Sequence, residues 1–187
     1  AFKFIEGPIW HPGEQSLIFS DILGNSIFRW HAHEGLTMLR RNSYMANGNA
    51  YDHQGRILTC EHATSRLVRW SPESIDFKTN EGLEVLASES GGKQLNSPND
   101  LIVARDGSIY FTDPISGRSP GYGVPREPEL EHNGVYRVDP ERGELSLLAA
   151  DFSKPNGLCF SRDQSQLFVN DTDRMHIRAF DLLEDGG

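Results

Sequence analysis

Four acidic residues, each at the end of a short apolar run, are preceded at a nearly constant distance by a carboxylate or a side-chain amide. The four pairs are Glu6 with Asp21, Asn47 with Glu61, Asn99 with Asp113, and Asn156 with Asp171. The residue numbers in these pairs differ by 15, 14, 14 and 15, and the larger separations occur where the intervening turn is longer. Such a recurrence indicates that the four leading residues hold equivalent positions in four copies of one structural unit.

The leading residues carry oxygen donors, which are the ligands that hard divalent cations prefer. We therefore predict a metal site formed by Glu6, Asn47, Asn99 and Asn156, in which Asn47 is assigned by its position in the repeat. The predicted ion is Ca²⁺, with Mg²⁺, Mn²⁺ and Zn²⁺ as alternatives. The competing interpretation is that asparagines directly before glycine, as Asn47 and Asn156 are, serve as ordinary turn residues.

Two further side chains are candidates for catalysis. His62 follows the acid of the second copy and could reach the site as a donor or a general base; the alternative is a solvated loop histidine. Asp113 is the second candidate. The four acids could equally cap the ends of their strands by accepting hydrogen bonds from turn amides.

The third copy contains an insertion, residues 115–133, that should lie over the same place. It holds several of the chain's prolines together with Arg118, Tyr122 and Arg126. A loop stiffened by proline at this position is predicted to form a lid or a wall of the site, or else a passive surface insertion.

The elements that must position these residues are short β-strands separated by Gly, Asp, Asn and Pro turns. Each copy predicts three strands, and the first three copies predict a fourth. Four antiparallel strands in roughly 40–50 residues are typical of a β-propeller blade. We predict an all-β chain with blades at residues 6–40, 47–87, 97–149 and 155–181 of one domain, 1–187. The alternative is a sandwich of unrelated hairpins.

Composition excludes several classes of protein. The 187 residues carry 18 Lys and Arg against 27 Asp and Glu, a net charge of −9 that argues against nucleic-acid binding. Apolar runs reach only four residues, so we expect no membrane-spanning helix, and no targeting segment is visible. A cytoplasmic or periplasmic monomer or homodimer is expected. Cys60 and Cys159 are both expected to be buried thiols.

The motifs EGPIW with IFSD, NGNAYDHQGRILTCEH, NSPNDLIVARDGSIYFTDP and PNGLCFSRDQSQLFVND resemble the gluconolactonase and senescence-marker-protein (regucalcin-like) family. The similarity spans residues 4–181 and is greatest to bacterial gluconolactonases. The resemblance implies a six-bladed propeller, of which this sequence covers about four blades. It also implies that Glu6 and Asn156 bind the metal and that Asn99 serves both the metal and the substrate.

The family's remaining metal ligand and general base is an aspartate that opens a later blade. The resemblance finds no counterpart for it in this sequence, and Asp185 lies too close to the preceding strand to open a blade. Whether this polypeptide closes a ring is therefore a question for the structure. In a four-bladed ring, residues 1–4 would pair with residues 176–180; we expect instead that they do not.

The function implied by the resemblance is metal-dependent hydrolysis of a sugar lactone, such as glucono-1,5-lactone, to its hydroxy acid. The metal would polarise the lactone carbonyl and activate a water molecule. Two alternatives are a non-catalytic calcium-binding propeller scaffold and a related metal-dependent esterase with another lactone or ester substrate.

Overall fold

The computed structural model describes residues 1–76, 78–79 and 81–183; Asp185, named above, lies outside them. The chain forms consecutive antiparallel sheets, and within each sheet every strand pairs with the strand that follows it in sequence. The first sheet contains β1 (Ile5–His11), β2 (Ser16–Asp21), β3 (Ser26–His31) and β4 (Gly35–Arg41). The second contains β5 (Ala46–Tyr51), β6 (Ile57–Glu61), β7 (Arg66–Trp70) and β8 (Glu84–Ala87).

A short hairpin, β9 (Glu89–Ser90) and β10 (Lys93–Gln94), leads to the third sheet. That sheet contains β11 (Leu101–Val103), β12 (Ile109–Asp113), β13 (Asn133–Val138) and β14 (Leu145–Phe152). The last sheet contains β15 (Pro155–Phe160), β16 (Gln166–Asp171) and β17 (His176–Asp181). One 3₁₀ helix, Ile115–Arg118, follows β12. No helix in the described residues is long and apolar enough to span a membrane. The predicted all-β propeller architecture is confirmed.

Turn residues in the sequence explain the tight hairpins inside the blades. Between β5 and β6, the Asp52 carboxylate accepts two backbone N–H groups at 2.9 Å, and Gly55 adopts a φ of +78°. Between β11 and β12, Asp106 accepts a backbone N–H at 2.8 Å, and Gly107 adopts a φ of +90°. Aspartate mimics a backbone turn, and glycine takes the left-handed conformation without a steric penalty.

Apolar side chains fill the spaces between neighbouring blades. The cluster between the first two blades contains Ile18, Ile27, Ala46, Ile57, Val68 and Trp70. The cluster between the second and third contains Leu58, Cys60, Leu67, Leu101, Phe111 and Tyr136. The cluster between the third and fourth contains Tyr110, Val135, Phe152, Leu158, Leu167 and Val169. Sequence neighbours such as Ile57 and Leu58 belong to different clusters because successive side chains of a strand point to opposite faces.

The innermost strands of neighbouring blades touch through their backbones. Gly48 N–H donates to the carbonyl oxygen of Asn99 at 2.8 Å. A Cβ atom built on Gly48 would lie 2.7 Å from that oxygen, and one built on Gly7 would lie 2.1 Å from the carbonyl oxygen of Asn47. The glycines of the EGP and NGN motifs are therefore required by the close approach of two strands, because any side chain there would collide with backbone.

Hydroxyl groups add a second link between blades. Ser20 Oγ donates to the carbonyl oxygen of Asn47 at 2.8 Å, and Thr112 Oγ1 donates to the carbonyl oxygen of Asn156 at 2.7 Å. In both cases the hydroxyl residue directly precedes the strand-ending acid, and the acceptor opens the next blade. Each of these links fixes the start of an inner strand against the blade before it.

Three of the four strand-ending acids fasten the segment that enters their own blade. The carboxylates accept backbone N–H groups at 2.7 to 3.3 Å. The donors are Lys3 and Phe4 for Asp21, Asn96 and Ser97 for Asp113, and Ser153 and Lys154 for Asp171. These contacts match the strand-capping alternative for the acids.

Glu61 differs from the three aspartates because it pairs with side chains. It accepts hydrogen bonds from Arg40 and Arg66, each at 2.7 Å, and from Thr64 at 2.5 Å. The side chains of Glu61 and Arg40 are completely buried. A buried carboxylate needs charged donors of this kind, and here the Arg40 donor crosses from the first blade to the second.

Residues 1–4 do not close a four-bladed ring. They form no strand, and within the described residues β17 pairs with β16 alone. Instead, the carbonyl oxygen of Phe4 accepts the N–H of Ile22 at 2.9 Å, which keeps this segment on the first blade.

The expectation for the cysteines is half right. Cys60 is buried, but Cys159 is exposed. Every residue of β6 is buried because its blade has a neighbour on each face, whereas β15 belongs to the last described sheet. On β15, Leu158 faces the third blade, so strand alternation turns Cys159 to the opposite, open face.

We expect Asp113→Asn to destabilise the fold by about 1–3 kcal/mol, the cost of an unsatisfied buried polar group. Its two carboxylate oxygens accept separate N–H groups, from Asn96 at 2.8 Å and Ser97 at 2.7 Å, and an amide would present its own N–H to one of them. Denaturant unfolding measures the loss. The control is Asp139→Asn, since Asp139 accepts two backbone N–H groups through one oxygen. Equal stabilities of the two variants would contradict the prediction.

We expect Gly48→Ala to destabilise the protein by about 1–3 kcal/mol, in the range of overpacking substitutions. The new methyl group would collide with the backbone around Asn99, which has little room to move. The matched control is Gly121→Ala, where an added Cβ meets nothing within 4 Å. Thermal unfolding of both variants tests this, and a Gly48 variant as stable as the control would show that the blades can separate at no cost.

Candidate functional site

The residues that open the four inner strands line one cavity of about 170 Å³. Its walls include Glu6, Asn47, Asn99 and Asn156, one from each blade, together with His62. The structure thus brings together all four side chains of the predicted metal site, although they are separated by up to 150 residues in sequence. Asn47 and Asn99 are 6% and 5% exposed, so they reach the cavity from within the protein.

Irregular strand pairing accompanies these positions. The pairing register shifts between Glu6 and Ile9 in β1, between Ala46 and Asn49 in β5, and between Pro155 and Leu158 in β15. A β-bulge locally redirects the side chains of a strand. Each shift begins at or next to the residue that lines the cavity, so the sheet geometry itself turns these side chains away from the regular ladder.

The cavity asparagines differ from structural asparagines nearby in their hydrogen bonds. Asn49 Nδ2 donates to three acceptors and its Oδ1 accepts from Thr59. In contrast, no hydrogen bond within the described part of the chain engages the side chain of Glu6, Asn99 or Asn156, and His62 is the one partner of the Asn47 side chain. Glu6 is exposed, Asn156 is half-buried, and Asn99 is buried at the cavity wall, so the unpaired polar atoms of these side chains are available to a ligand.

His62 lies between the cavity and the loop of the third blade. Its Nε2 atom is 3.2 Å from Asn47 Nδ2, and its Nδ1 atom is 2.8 Å from the carbonyl oxygen of Tyr122. The imidazole is only 1% exposed. Burial, together with the nearby Arg126 guanidinium, lowers the pKa of His62 to about 4, against the opposing effect of the Tyr122 carbonyl. A neutral ring follows from these surroundings at pH 7.

The insertion of the third blade forms one wall of the cavity, through Ser116 and Tyr122. Arg118 and Arg126, which the sequence analysis placed with this wall, instead bind carbonyl groups beneath the loop. Arg118 donates to the carbonyl oxygens of Leu95 and Asn96 at 2.6 and 2.7 Å. The loop is therefore fastened to the second and third blades by two guanidinium groups.

The cavity lining also contains two residues that the sequence analysis did not select, Lys154 and Thr172. Lys154 Nζ lies 5.8 Å from the centre of the Tyr122 ring and 3.8 Å from an oxygen of Asp173. Lys154 directly precedes the PNG motif of the fourth blade, and this adjacency is the feature of the sequence that could have identified it as a cavity residue.

A further carboxyl group, on Asp100, lies beside the inner strands of two blades. Cβ atoms built on Gly48 and Gly157 would be 2.7 and 3.7 Å from its two oxygens. Burial raises the pKa of Asp100 to about 6, and the negative charge of Glu6 adds to this effect. The sequence signal for Asp100 was its place directly after Asn99 in the SPND motif.

Asp113, the other predicted catalytic residue, does not line the cavity. Its carboxylate is fully buried among backbone amides, and burial raises its pKa to about 7 although those amides lower it. The catalytic role remains a prediction, and the contacts observed are those of a strand-end anchor.

The donor chemistry of the cavity fits a hard cation. Glu6 supplies the one carboxylate of the predicted set, and the three asparagines supply amide oxygens, which Ca²⁺ and Mg²⁺ accept. The described residues hold no group of three or more His, Cys, Asp or Glu side chains arranged for a metal. The residues that line the cavity include no cysteine, and the one imidazole, His62, has its Nε2 atom against Asn47.

Comparison with known proteins places the fold in a family. The family described as the SMP-30/gluconolactonase/LRE-like region matches residues 4–187. A gluconolactonase of Zymomonas mobilis is 31% identical over 185 residues, which covers 92% of this chain and 50% of that protein. This chain thus spans half the length of that relative.

Solved structures give the same result. A gluconolactonase from Xanthomonas campestris superposes with a TM-score of 0.87 at 37% identity, covering 98% of this chain and 60% of that one. A calcium-binding regucalcin from Agrobacterium tumefaciens has a TM-score of 0.73 at 19% identity, covers 99% of this chain and 56% of that one, and shows the shared fold alone. The repeated order of strands agrees with these matches, which establish that the chain belongs to the SMP-30/gluconolactonase/LRE-like family.

Proposed function

We propose that the full-length protein hydrolyses sugar lactones of the glucono-1,5-lactone type to the hydroxy acid, with the help of a divalent metal ion. The observation that carries this proposal is the set of four oxygen-bearing side chains that line one cavity, three of which make no hydrogen bond within the described residues. The gluconolactonases to which the chain is similar support the reaction class.

Glu6, Asn47, Asn99 and Asn156 would hold the metal, and Ca²⁺ is the ion that their oxygen atoms suit best. When bound, a divalent cation supplies Lewis-acid polarisation of an ester carbonyl and stabilises negative charge on its oxygen. Glu6 is the only formal negative charge in the set, so it contributes most to the attraction of the cation. Asn99 lies in the same lining and is the candidate for contact with both metal and substrate.

The walls of the cavity suit a polyhydroxylated ring. Ser116 and Thr172 offer hydroxyl groups, Lys154 offers an ammonium donor, and the Tyr122 ring provides a flat apolar surface. A few polar groups placed around an apolar body are what orient a small ligand in a pocket. In the reaction, water oxygen bonds to the lactone carbonyl carbon, the bond between that carbon and the ring oxygen breaks, and one proton of the water passes to the ring oxygen, which becomes a hydroxyl.

We further propose that the propeller has six blades, four of which are formed by the described residues. Ile5 on the first sheet and Ile177 on the last are 55% and 70% exposed, as expected for faces that further blades would cover. The general base would then be an aspartate of a later blade, as the family resemblance implies.

We expect Glu6→Gln in the full-length protein to weaken Ca²⁺ binding by at least about tenfold, equivalent to about 1.4 kcal/mol, and to remove most lactonase activity. The amide keeps the shape of the side chain but loses its charge. Calorimetry measures binding, and a pH-stat assay on glucono-1,5-lactone, with and without chelator, measures turnover. The control is Glu34→Gln, an exposed turn residue.

Each outcome separates the candidate functions. Full activity in chelator, or in the Glu6 variant, would overturn metal-dependent hydrolysis. Calcium binding without turnover of any lactone would favour a binding scaffold. Turnover of other lactones or esters, with none of glucono-1,5-lactone, would favour a related esterase.

A further inference from the structure

We propose that His62 is a positioning residue: an imidazole protonated at Nδ1 alone, whose Nε2 accepts a hydrogen bond from the Asn47 side-chain amide and thereby turns the Asn47 Oδ1 atom toward the metal site. The inference deepens the proposed function and rests on it for the role of the metal. It assigns to His62 a part different from that of a donor or general base.

The Tyr122 carbonyl fixes the position of the proton on the ring. A carbonyl oxygen can only accept, and it lies 2.8 Å from His62 Nδ1, so Nδ1 must carry the hydrogen. In a neutral imidazole the other nitrogen is then an acceptor. The contact with Asn47 agrees with this, because Asn47 Nδ2 lies 3.2 Å from Nε2 and an amide nitrogen can only donate.

The acceptor nitrogen in turn determines the orientation of the amide. His62 Nε2 lies 3.2 Å from the Asn47 side chain, and only the NH₂ end of that amide can donate to it. The opposite orientation would place two lone pairs against each other. Because His62 is the one side-chain partner of Asn47 in the described residues, nothing else there distinguishes the two ends of the amide.

The backbone of His62 is held by two hydrogen bonds, and its ring is packed against the loop of the third blade. Arg126 Nη2 donates to the His62 carbonyl oxygen at 2.6 Å, and the backbone N–H of His62 donates to the Met45 carbonyl oxygen at 3.3 Å. The loop packs so closely that a Cβ atom on Gly117 would lie 2.6 Å from His62 Cγ. Loop position is therefore transmitted through the imidazole to a residue of the cavity.

The orientation of Asn47 matters because the two ends of an amide have opposite polarity. An oxygen directed at the cavity can bind a cation, whereas an NH₂ group in the same place would repel it. The lone pair of Nε2 is occupied by Asn47, so this nitrogen is not available to deprotonate a water molecule.

Two substitutions separate positioning from proton transfer. In His62→Gln, the longer side chain can place an amide oxygen near the former Nε2 and accept from Asn47, but it cannot act as a base. In His62→Asn, the shorter amide can still donate to the Tyr122 carbonyl but cannot reach Asn47. We expect His62→Asn to weaken Ca²⁺ binding to the full-length protein at least about tenfold and His62→Gln to weaken it less than about threefold.

Nitrogen-15 NMR of the wild-type protein tests the orientation without metal or substrate. We expect a pyrrole-type shift at Nδ1, a pyridine-type shift at Nε2, and a coupling across the hydrogen bond from Asn47 Nδ2 to Nε2. A proton on Nε2, or no such coupling, would overturn the proposal. So would equal loss of Ca²⁺ affinity in both variants, or equal loss of lactone turnover in both at saturating Ca²⁺.

These measurements keep the two proposals apart. A wild-type protein that hydrolyses no lactone would contradict the proposed function, while the NMR spectra would still decide how His62 holds Asn47. If His62→Asn does not fold, the spectra and the His62→Gln variant remain sufficient to contradict the positioning role.

Discussion

The close backbone contact between the inner strands of neighbouring blades is the constraint on which the cavity depends. The hydrogen bond from Gly48 to the Asn99 carbonyl, at 2.8 Å, ties the opening of the second blade to that of the third. This contact leaves no room for a side chain at Gly48, and the corresponding contact with the Asn47 carbonyl leaves none at Gly7. Because the strands meet here, the side chains that open them converge on one axis.

The carboxylates of the repeat serve two purposes that the repeat alone does not separate. Asp21, Asp113 and Asp171 accept hydrogen bonds from backbone N–H groups of the segment that leads into their own blade. The Glu6 side chain, in contrast, makes no hydrogen bond in the described residues and lines the cavity. With one carboxylate and three amides, the site would carry a small negative charge, which favours a cation without the repulsion that four clustered carboxylates would create.

The loop of the third blade both lines the cavity and contacts His62. Two guanidinium groups, from Arg118 and Arg126, fasten it to backbone carbonyls. The Tyr122 ring faces the cavity while the Tyr122 carbonyl contacts His62. A single segment therefore supplies a surface for a ligand and determines which imidazole nitrogen carries the proton.

The sequence by itself determined the blades and the ring of polar residues, because strand alternation and the spacing from Glu6 to Asp21 are local and repeat four times. Tertiary structure decided what local patterns do not encode. Lys154 reaches the cavity, His62 contacts Tyr122 across 60 residues, and Cys159 is exposed, each through the order and packing of whole blades. Such contacts join segments distant in the chain, so the chemistry of a side chain depends on neighbours that its own sequence surroundings do not specify.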